Sequence, residues 1–272
     1  MFGRSKSDLA NEHPFSRCPF FLVSGMGRSG TTVLRNCVAK HPDIHCLNRE
    51  SNYIFHLMRG ANLHLDSEFD RKNLVVDEPQ FWELHRQFLL SLLWPADSDF
   101  PAVQPKAIAT YSQLDPRAAI GLTKTFPRLS ICYIVRNGIE VVSSYRAFDH
   151  FKHMSFEEVC RNWQFHSLMT QYVRDHPHCT LIRYEWMQEE LPKFVSALTG
   201  AMQLIDLEFR QSCLVPLNEQ FHPTLYAGET EADGNDPAKR KDRWKLWSRD
   251  ERNVFAKTCG ETMESLGYSI PW

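Results

Sequence analysis

The chain has 272 residues, of which 43% are hydrophobic, and its charges nearly balance at a formal net charge of −2. This length and hydrophobic content suffice for one substantial buried core. The near-neutral charge argues against a nucleic-acid-binding protein, which normally carries a clear basic excess. An anionic ligand would therefore have to be held by a local cluster of donors.

The cysteines and the apolar segments indicate the cellular setting. The eight cysteines are scattered and form no CxxC pair, which argues against a zinc site or a dithiol redox motif and favours reduced, structural thiols. Residues 1–14 are polar and lack the apolar core of a signal peptide. The longest apolar-rich stretch, residues 81–94, is too short and too polar to span a bilayer. We therefore expect a cytoplasmic protein with no membrane span.

The first predicted strand leads into a glycine-bracketed loop and then a helix. Residues 20–24 are apolar and strand-like, and from Thr31 onward the apolar residues recur at helical spacing. The loop "GMGRSGTT" (residues 25–32) matches the phosphate-binding pattern GxxxxGK[ST] except that Thr31 replaces the lysine. That lysine neutralises the β and γ phosphates in nucleoside triphosphatases, so ordinary triphosphate chemistry is poorly supported.

The loop keeps its other means of holding an anion. Its glycines let the backbone wrap around a ligand, and its N–H groups meet at a helix N-terminus. Arg28 adds a permanently charged, planar fork, and the neighbouring hydroxyls add further donors. Such a loop suits one phosphate that bears a further anionic group, and it requires no metal.

The rest of the chain alternates between predicted strands and helices. A helix starting near Asp77 carries Pro79 in its first turn, and Ser155 with Glu158 forms a capping box at the start of another. The alternation predicts an α/β fold of three layers, in which helices flank a central, mainly parallel sheet. The further predicted elements are strands at 130–135 and 179–184, helices at 139–145 and from Leu191, a C-terminal helix ending near Gly267, and a mobile loop over 222–243.

The loop and its surroundings resemble a known family. The segment "GMGRSGTTVLRNCVAKHPDI" is similar to the first signature of the sulfotransferases that use PAPS (3′-phosphoadenosine 5′-phosphosulfate), in which arginine and threonine in place of the lysine motif are normal. The resemblance implies a P-loop-like fold and a loop that holds the 5′-phosphosulfate. The residues that it assigns to this role are Gly27, Arg28, Ser29, Gly30, Thr31 and Thr32.

A second segment, "YIVRNGIEVVSSY" (residues 133–145), resembles the part of the family that binds the 3′-phosphate. Arg136 occupies the arginine position at the end of the strand, and Ser144 follows eight residues later. The family often has Asp-Pro or Asp-Gly where this chain has Asn137-Gly138. An arginine at a strand end and a serine on the next helix can close on one phosphate. Two such segments suit a ligand with a phosphate at each end.

Weaker similarity extends the resemblance to about residues 18–268 and implies a single sulfotransferase domain over 1–272, with residues 1–17 flexible. Residues 52–125 match least, and in this family that region shapes the acceptor site, so we expect an acceptor-side helical region there. Tyr184 lies in a segment similar to the family's "RYEDL". It is a candidate for stacking near the adenine, and a buried strand tyrosine is the alternative.

The acceptor has to lose a proton, and Glu50 is our first candidate for the general base. Related enzymes often place a catalytic glutamate about 20 residues past the loop, although strict spacing from the loop puts Arg49 in the slot seen in protein-tyrosine sulfotransferases. Other branches of the family use histidine instead. The alternative bases are His45, His56 and His64.

The family also places a catalytic lysine near the bridging oxygen. Lys106 is the closest equivalent here, ranked above Lys124, and both join Arg28 as catalytic candidates. The basic run Lys239-Arg240-Lys241, with Arg243, fits either a flap over the nucleotide or a solvated charge run.

The sequence therefore predicts a PAPS-dependent sulfotransferase that acts on a hydroxyl or amine acceptor, releases PAP and requires no metal. Two alternatives stay open: an atypical P-loop kinase, which would need magnesium, and a nucleotide-binding protein without catalysis. We expect no nucleic-acid partner, and the sequence leaves the acceptor and the oligomeric state undetermined.

Overall fold

A parallel sheet of five strands lies at the centre of the described part of this computed structural model, which comprises residues 13–94, 103–218 and 242–272. The strand order is β2-β3-β1-β4-β5, and every neighbouring pair is parallel. All five strands therefore end at one edge, the carboxyl edge, and begin at the opposite one, the amino edge. The strands are β1 (Phe20–Gly25), β2 (Ile44–Glu50), β3 (Ala107–Tyr111), β4 (Leu129–Val135) and β5 (Cys179–Arg183).

The central strands are continuous apolar runs because both faces of the sheet are covered. Every residue of β1 and of β4 is buried. Successive side chains of β1 alternate between two cores, with Phe20 and Leu22 in one and Phe21 and Val23 in the other. The strands predicted from these runs are confirmed.

Helices connect the strands and cover both faces of the sheet, so the predicted three-layer α/β architecture is confirmed. One core packs the sheet against α2, α4, α5 and α7, and the other packs it against α1 and α9. A further apolar cluster joins α6, α7 and α10. The helices are α1 (Thr31–Ala39), α2 (Asn52–Asp66), α3 (Glu68–Lys72), α4 (Glu78–Leu93), α5 (Pro116–Thr125), α6 (Gly138–Ala147), α7 (Phe156–Asp175), α8 (Trp186–Glu189), α9 (Leu191–Gln203) and α10 (Arg249–Ser265).

Helix starts follow the capping residues in the sequence. The Asp77 side chain accepts a hydrogen bond from the backbone N–H of Gln80 at the start of α4. Ser155 and Glu158 form the predicted capping box of α7. These side chains satisfy backbone donors that have no partner within the helix, so the helix starts could be located from the sequence.

Two of the predicted segments fall partly outside the described residues. The flexible start expected over 1–17 is described only from residue 13, and the mobile loop expected over 222–243 is described only at Asp242 and Arg243. Lys239-Arg240-Lys241 therefore lies outside the described residues, whereas Arg243 is buried and begins a short 3₁₀ helix. Residues 52–125, the expected acceptor-side region, contain α2 to α5 and also β3, which the sequence did not predict. None of the described helices is long and apolar enough to cross a membrane.

Candidate active site

The carboxyl edge of the sheet brings together most of the residues that the sequence singled out. The loop of residues 25–32 leaves β1 there, and Glu50 is the last residue of β2. Arg136 directly follows β4, and Tyr184 directly follows β5. Ligands of open parallel sheets bind outside the carboxyl ends of the strands, so this cluster is the candidate site.

The loop has an unusual backbone conformation. Arg28 has a φ of 65° and Gly30 a φ of 98°, both in the left-handed region. A left-handed conformation costs a non-glycine residue about 1–2 kcal/mol, and such strain clusters at ligand-binding sites. Helix α1 starts immediately after Gly30 and has no side-chain cap. Its first N–H groups therefore remain suited to an anion.

Close packing explains the glycine at position 30. A Cβ placed on Gly30 would lie 2.4 Å from Cδ2 of Tyr184, in addition to its unfavourable φ. The same tyrosine ring lies against Arg136, whose guanidinium carbon is 4.1 Å from the ring centroid. Tyr184 thus packs between the first loop and the second segment, next to both predicted phosphate-binding elements.

The two predicted phosphate-binding segments contact each other directly. Arg28 Nε donates a hydrogen bond to Ser144 Oγ at 3.1 Å, and Arg136 Nη1 donates to the backbone oxygen of Arg28 at 3.1 Å. From the sequence we expected Ser144 to act with Arg136 at one phosphate. In the structure Ser144 instead bonds Arg28, so the first loop and α6 form one continuous donor surface.

Arg136 is held in a buried position, with an exposed fraction of 8%. Its Nη2 donates to Glu140 Oε2 at 2.5 Å and its Nε donates to the same oxygen at 3.2 Å. Burial opposes the charge, but Glu140 and then the neighbouring Tyr184 outweigh burial and raise the pKa of Arg136. Arg28, by contrast, has its pKa lowered by burial and by Arg136, and it remains a cation because arginine titrates far above physiological pH.

Glu50 lies two strands away from the loop. It pairs with Tyr111 of β3, and Tyr111 pairs with Val23 of β1. Two strand spacings amount to about 10 Å, which leaves room for a reacting group between them. Glu50 keeps solvent access, and partial burial of its carboxyl raises its pKa, an effect that a hydrogen bond with Asn52 opposes. A carboxylate with a raised pKa is the better general base.

The structure does not bring the candidate lysines to this edge. Lys106 precedes β3, so it lies at the amino edge, roughly 15 Å along the strand from the carboxyl edge, where its Nζ pairs with Asp43 Oδ2 at 3.0 Å. Lys124 lies in the last turn of α5, ahead of β4, and pairs with Glu78 at 3.1 Å. Neither position fits the role that the resemblance suggested.

The candidate histidines have surroundings that differ from those of Glu50. His45 lies in the first half of β2 with its ring 5.5 Å from that of Phe15, and burial lowers its pKa. His56 is exposed on α2, and His64 Nδ1, in the last turn of α2, is 3.8 Å from Asp70 Oδ2. Glu50 is therefore the proposed base that the fold places at the carboxyl edge. Among the described residues no group of three or more His, Cys, Asp or Glu is arranged to hold a metal ion.

Comparison with known proteins identifies the family. The model of the sulfotransferase family matches residues 19–208, which is more than half of the chain. The chain belongs to the sulfotransferase family. Sulfotransferases are transferase enzymes, so the loop of residues 25–32, which lacks the lysine, belongs to a transferase. No curated protein sequence matches this sulfotransferase.

Solved structures of other sulfotransferases resemble this sulfotransferase at low identity. The sulfotransferase domain of the Synechococcus PCC 7002 olefin synthase is 16% identical, with a TM-score of 0.51 over 93% of this chain and 96% of that one. The mouse sulfotransferase SULT7A1, solved in complex with PAP, is 17% identical, with a TM-score of 0.47 over 90% of this chain and 84% of that one. At such identity the likeness to the first of these shows the fold alone.

The sequence argument missed two residues of the candidate site in this sulfotransferase. Glu140, which pairs with Arg136, lies four residues after it in the chain, but Arg136 precedes α6, so no helical spacing in the sequence indicated the pair. Tyr145, next to Ser144, reaches the loop near Gly27. No pattern in the sequence indicates that contact, because it depends on how α6 packs against the loop.

Proposed function

We propose that this sulfotransferase transfers a sulfuryl group from PAPS to a hydroxyl or amine acceptor and releases PAP. The observation that carries the proposal is the joining of the two anion-binding segments, in which Arg28 contacts Ser144 and Arg136 contacts the Arg28 backbone. A donor with anionic groups at both ends suits such a surface. The left-handed turn at Gly30 and the uncapped α1 N-terminus fit the phosphosulfate end.

The donor side of the reaction needs stabilisation of the charge on the leaving phosphate. Arg28 and the loop N–H groups supply it from fixed positions, so little reorganisation is needed when the bond to sulfur breaks. Arg136 and Ser144 supply the donors for the 3′-phosphate. Arg136 is oriented for this by its pair with Glu140 and by the Tyr184 ring.

The acceptor side needs a base, and Glu50 takes the proton of the acceptor hydroxyl or amine. Its raised pKa makes the carboxylate a stronger proton acceptor than an exposed glutamate. The acceptor oxygen or nitrogen forms the new bond to sulfur, and PAP departs with the electrons of the broken S–O bond. PAPS supplies the activated sulfuryl group, and no metal is part of the proposed mechanism.

One alternative has specific support. Lys106 and Lys124 lie at the amino edge, so neither candidate lysine reaches the candidate site, as would be the case in a nucleotide-binding protein without catalysis. Incubation with PAPS and a broad panel of phenols, alcohols and amines separates the two. We expect release of PAP with formation of a product heavier by one sulfuryl group. Binding of PAP without such release would favour the pure binder.

A second alternative, the atypical kinase, is tested by thermal shift with PAP and with ATP–magnesium. We expect PAP to raise the unfolding temperature and ATP–magnesium to have the smaller effect. Stabilisation by ATP–magnesium alone would contradict the sulfotransferase mechanism. We also propose a cytoplasmic location, which the free thiols of all the cysteines support. Cell fractionation would test it.

A further inference from the structure

Tyr145 occupies a position in the candidate site to which the proposed mechanism gives no role. It lies in α6, directly after Ser144, with an exposed fraction of 3%. A Cβ placed on Gly27 would lie 2.7 Å from the Tyr145 hydroxyl oxygen. The hydroxyl therefore touches the backbone of the loop, one residue before Arg28, and glycine is the residue that leaves it room.

The Tyr145 hydroxyl lies within electrostatic range of residues on both the donor side and the acceptor side of the proposed reaction. Burial raises the pKa of Tyr145 to about 12, the positive charge of Arg28 opposes this rise, and the negative charge of Glu50 adds to it. The charges of Arg28 and of Glu50, the proposed base, thus both affect the pKa of the Tyr145 hydroxyl. The phenol stays protonated at physiological pH and remains a hydrogen-bond donor.

The hydroxyl of Tyr145 forms no hydrogen bond with another residue of 13–94, 103–218 and 242–272, and its ring is fixed. The ring packs on Phe151 with centroids 4.3 Å apart, and Tyr145 is part of the apolar cluster that joins α6, α7 and α10. A rigid side chain with an unused donor beside the phosphate loop is suited to stabilising charge that develops during a reaction.

We propose that Tyr145 is a catalytic residue whose hydroxyl donates a hydrogen bond to the sulfuryl group as it passes from PAPS to the acceptor, in the place where the family resemblance led us to expect a lysine. This inference rests on the proposed function. In the reaction the acceptor–sulfur bond forms, the sulfur–oxygen bond to PAP breaks and Glu50 takes the acceptor proton. Tyr145 neither gains nor loses a proton.

The variant Tyr145→Phe removes only the hydroxyl. We expect kcat for PAP release from PAPS to fall by about 10- to 100-fold, the value of one hydrogen bond to a charged group. Water serves as the acceptor if the panel yields none. The Kd for PAP, measured by calorimetry, should change less than twofold, because PAP lacks the sulfuryl group. Tyr172→Phe is the matched control, since Tyr172 also has a buried hydroxyl without a partner among the described residues but lies in the last turns of α7, beside His176.

A second variant tests the contact with the loop. Gly27→Ala places a methyl group against the Tyr145 hydroxyl and should displace it, with a similar fall in kcat. In the Tyr145→Phe background the same alanine meets no hydroxyl, and the nearest ring atom is 3.5 Å away. We therefore expect the second substitution to add little in the double variant. Such non-additivity is the signature of two residues acting through one contact.

The outcomes separate this inference from the proposed function. If the wild-type protein fails to bind PAP, both are overturned. If the wild-type protein binds PAP, and if the wild type and Tyr145→Phe release PAP from PAPS at equal rates, the catalytic role of Tyr145 is wrong. The proposed function then stands. If Tyr145→Phe is too unstable to measure, the Gly27→Ala variant decides, because a kcat equal to that of the wild type would overturn the role.

Discussion

Basic side chains at the two edges of the sheet differ in their partners and in their burial. At the amino edge Lys106 pairs with Asp43 at 3.0 Å and Arg128 pairs with Asp206 at 2.8 Å, in positions where each cation is more than half exposed. At the carboxyl edge Arg28 donates to the neutral hydroxyl of Ser144, and buried Arg136 donates to the Arg28 backbone as well as to Glu140. Cations at the amino edge meet carboxylates at the surface, whereas those at the carboxyl edge form part of a partly buried donor surface.

Whether a basic residue precedes or follows a parallel strand therefore determines which groups it can contact. A residue that precedes a strand and one that follows it lie at opposite edges, however similar their sequence surroundings. Exposed ion pairs contribute about 0–1 kcal/mol to stability, whereas we propose that Arg28 and Arg136, beside the strained loop backbone, contribute to ligand binding. The following predictions test that division, from the largest expected effect to the smallest.

Replacing the proposed base should have the largest effect on the reaction. Glu50→Gln keeps the shape of the side chain and removes its ability to take a proton, so kcat should fall by about 10²- to 10⁴-fold. Because the pKa of Glu50 is raised, wild-type activity should fall as the pH is lowered through a value above 4.5. That acidic limb should be absent from the variant. An unchanged pH–rate profile would exclude Glu50 as the base.

Breaking the buried ion pair should have the largest effect on stability. Glu140→Gln leaves the Arg136 charge buried without its carboxylate, which costs about 3–5 kcal/mol. Urea unfolding measures the loss. The control is Glu157→Gln, because Glu157 pairs with Arg161 at the same i,i+4 spacing but at the surface, where the expected cost is about 0.5 kcal/mol. Equal losses of unfolding free energy in the two variants would mean that the ion pair of Arg136 contributes no more to stability than a surface ion pair.

A methyl group on the loop should have an intermediate effect. Gly30→Ala meets Tyr184 at 2.4 Å and has to adopt a φ of 98°, so we expect a loss of about 1–3 kcal/mol in stability and weaker binding of PAP. Gly60→Ala is the matched control, since Gly60 lies in α2 with no atom within 4 Å of the added methyl. Alanine there should stabilise the helix by about 0.5–1 kcal/mol. Thermal unfolding of both variants compares them.

The smallest effect is expected at the amino edge. Lys106→Ala removes an exposed ion pair with Asp43, so stability should change by less than about 1 kcal/mol and activity should not change. Steady-state kinetics of the purified variant provide the measurement. A loss of kcat comparable to that of Glu50→Gln would return Lys106 to the catalytic residues and contradict the separation of the two edges.

Much of the fold could be predicted from the sequence because the signals for buried strands and helix starts are local. Buried strands such as β1 and β4 are unbroken apolar runs, and α7 begins at a capping box, so each was recognisable without knowledge of its neighbours. Two strands were missed: β2, which contains four polar residues, and β3, which is short. As a result Lys106, which directly precedes β3, could not be placed at the amino edge from the sequence and was retained as a catalytic candidate.

The candidate site was less predictable than the fold. The loop has a sequence pattern because its backbone conformation requires a glycine at position 30, and the Arg136 segment has one because Gly138 packs closely against Trp163. The pairing of Ser144 with Arg28, and the approach of Tyr145 to Gly27, depend on how α6 packs on the loop. Such contacts join residues more than 100 positions apart and leave no periodic signal, so only the three-dimensional arrangement shows them.

The central claim is that one donor surface at the carboxyl edge, built on Arg28 and Arg136, holds the nucleotide. Calorimetric titration of PAP into the wild type and into Arg28→Ala, Arg136→Ala and Lys106→Ala tests it most directly. We predict that PAP binds the wild type and Lys106→Ala with equal affinity, and that each arginine variant binds at least 10-fold more weakly. Absence of binding to the wild type, or equal affinity in all four proteins, would contradict the claim.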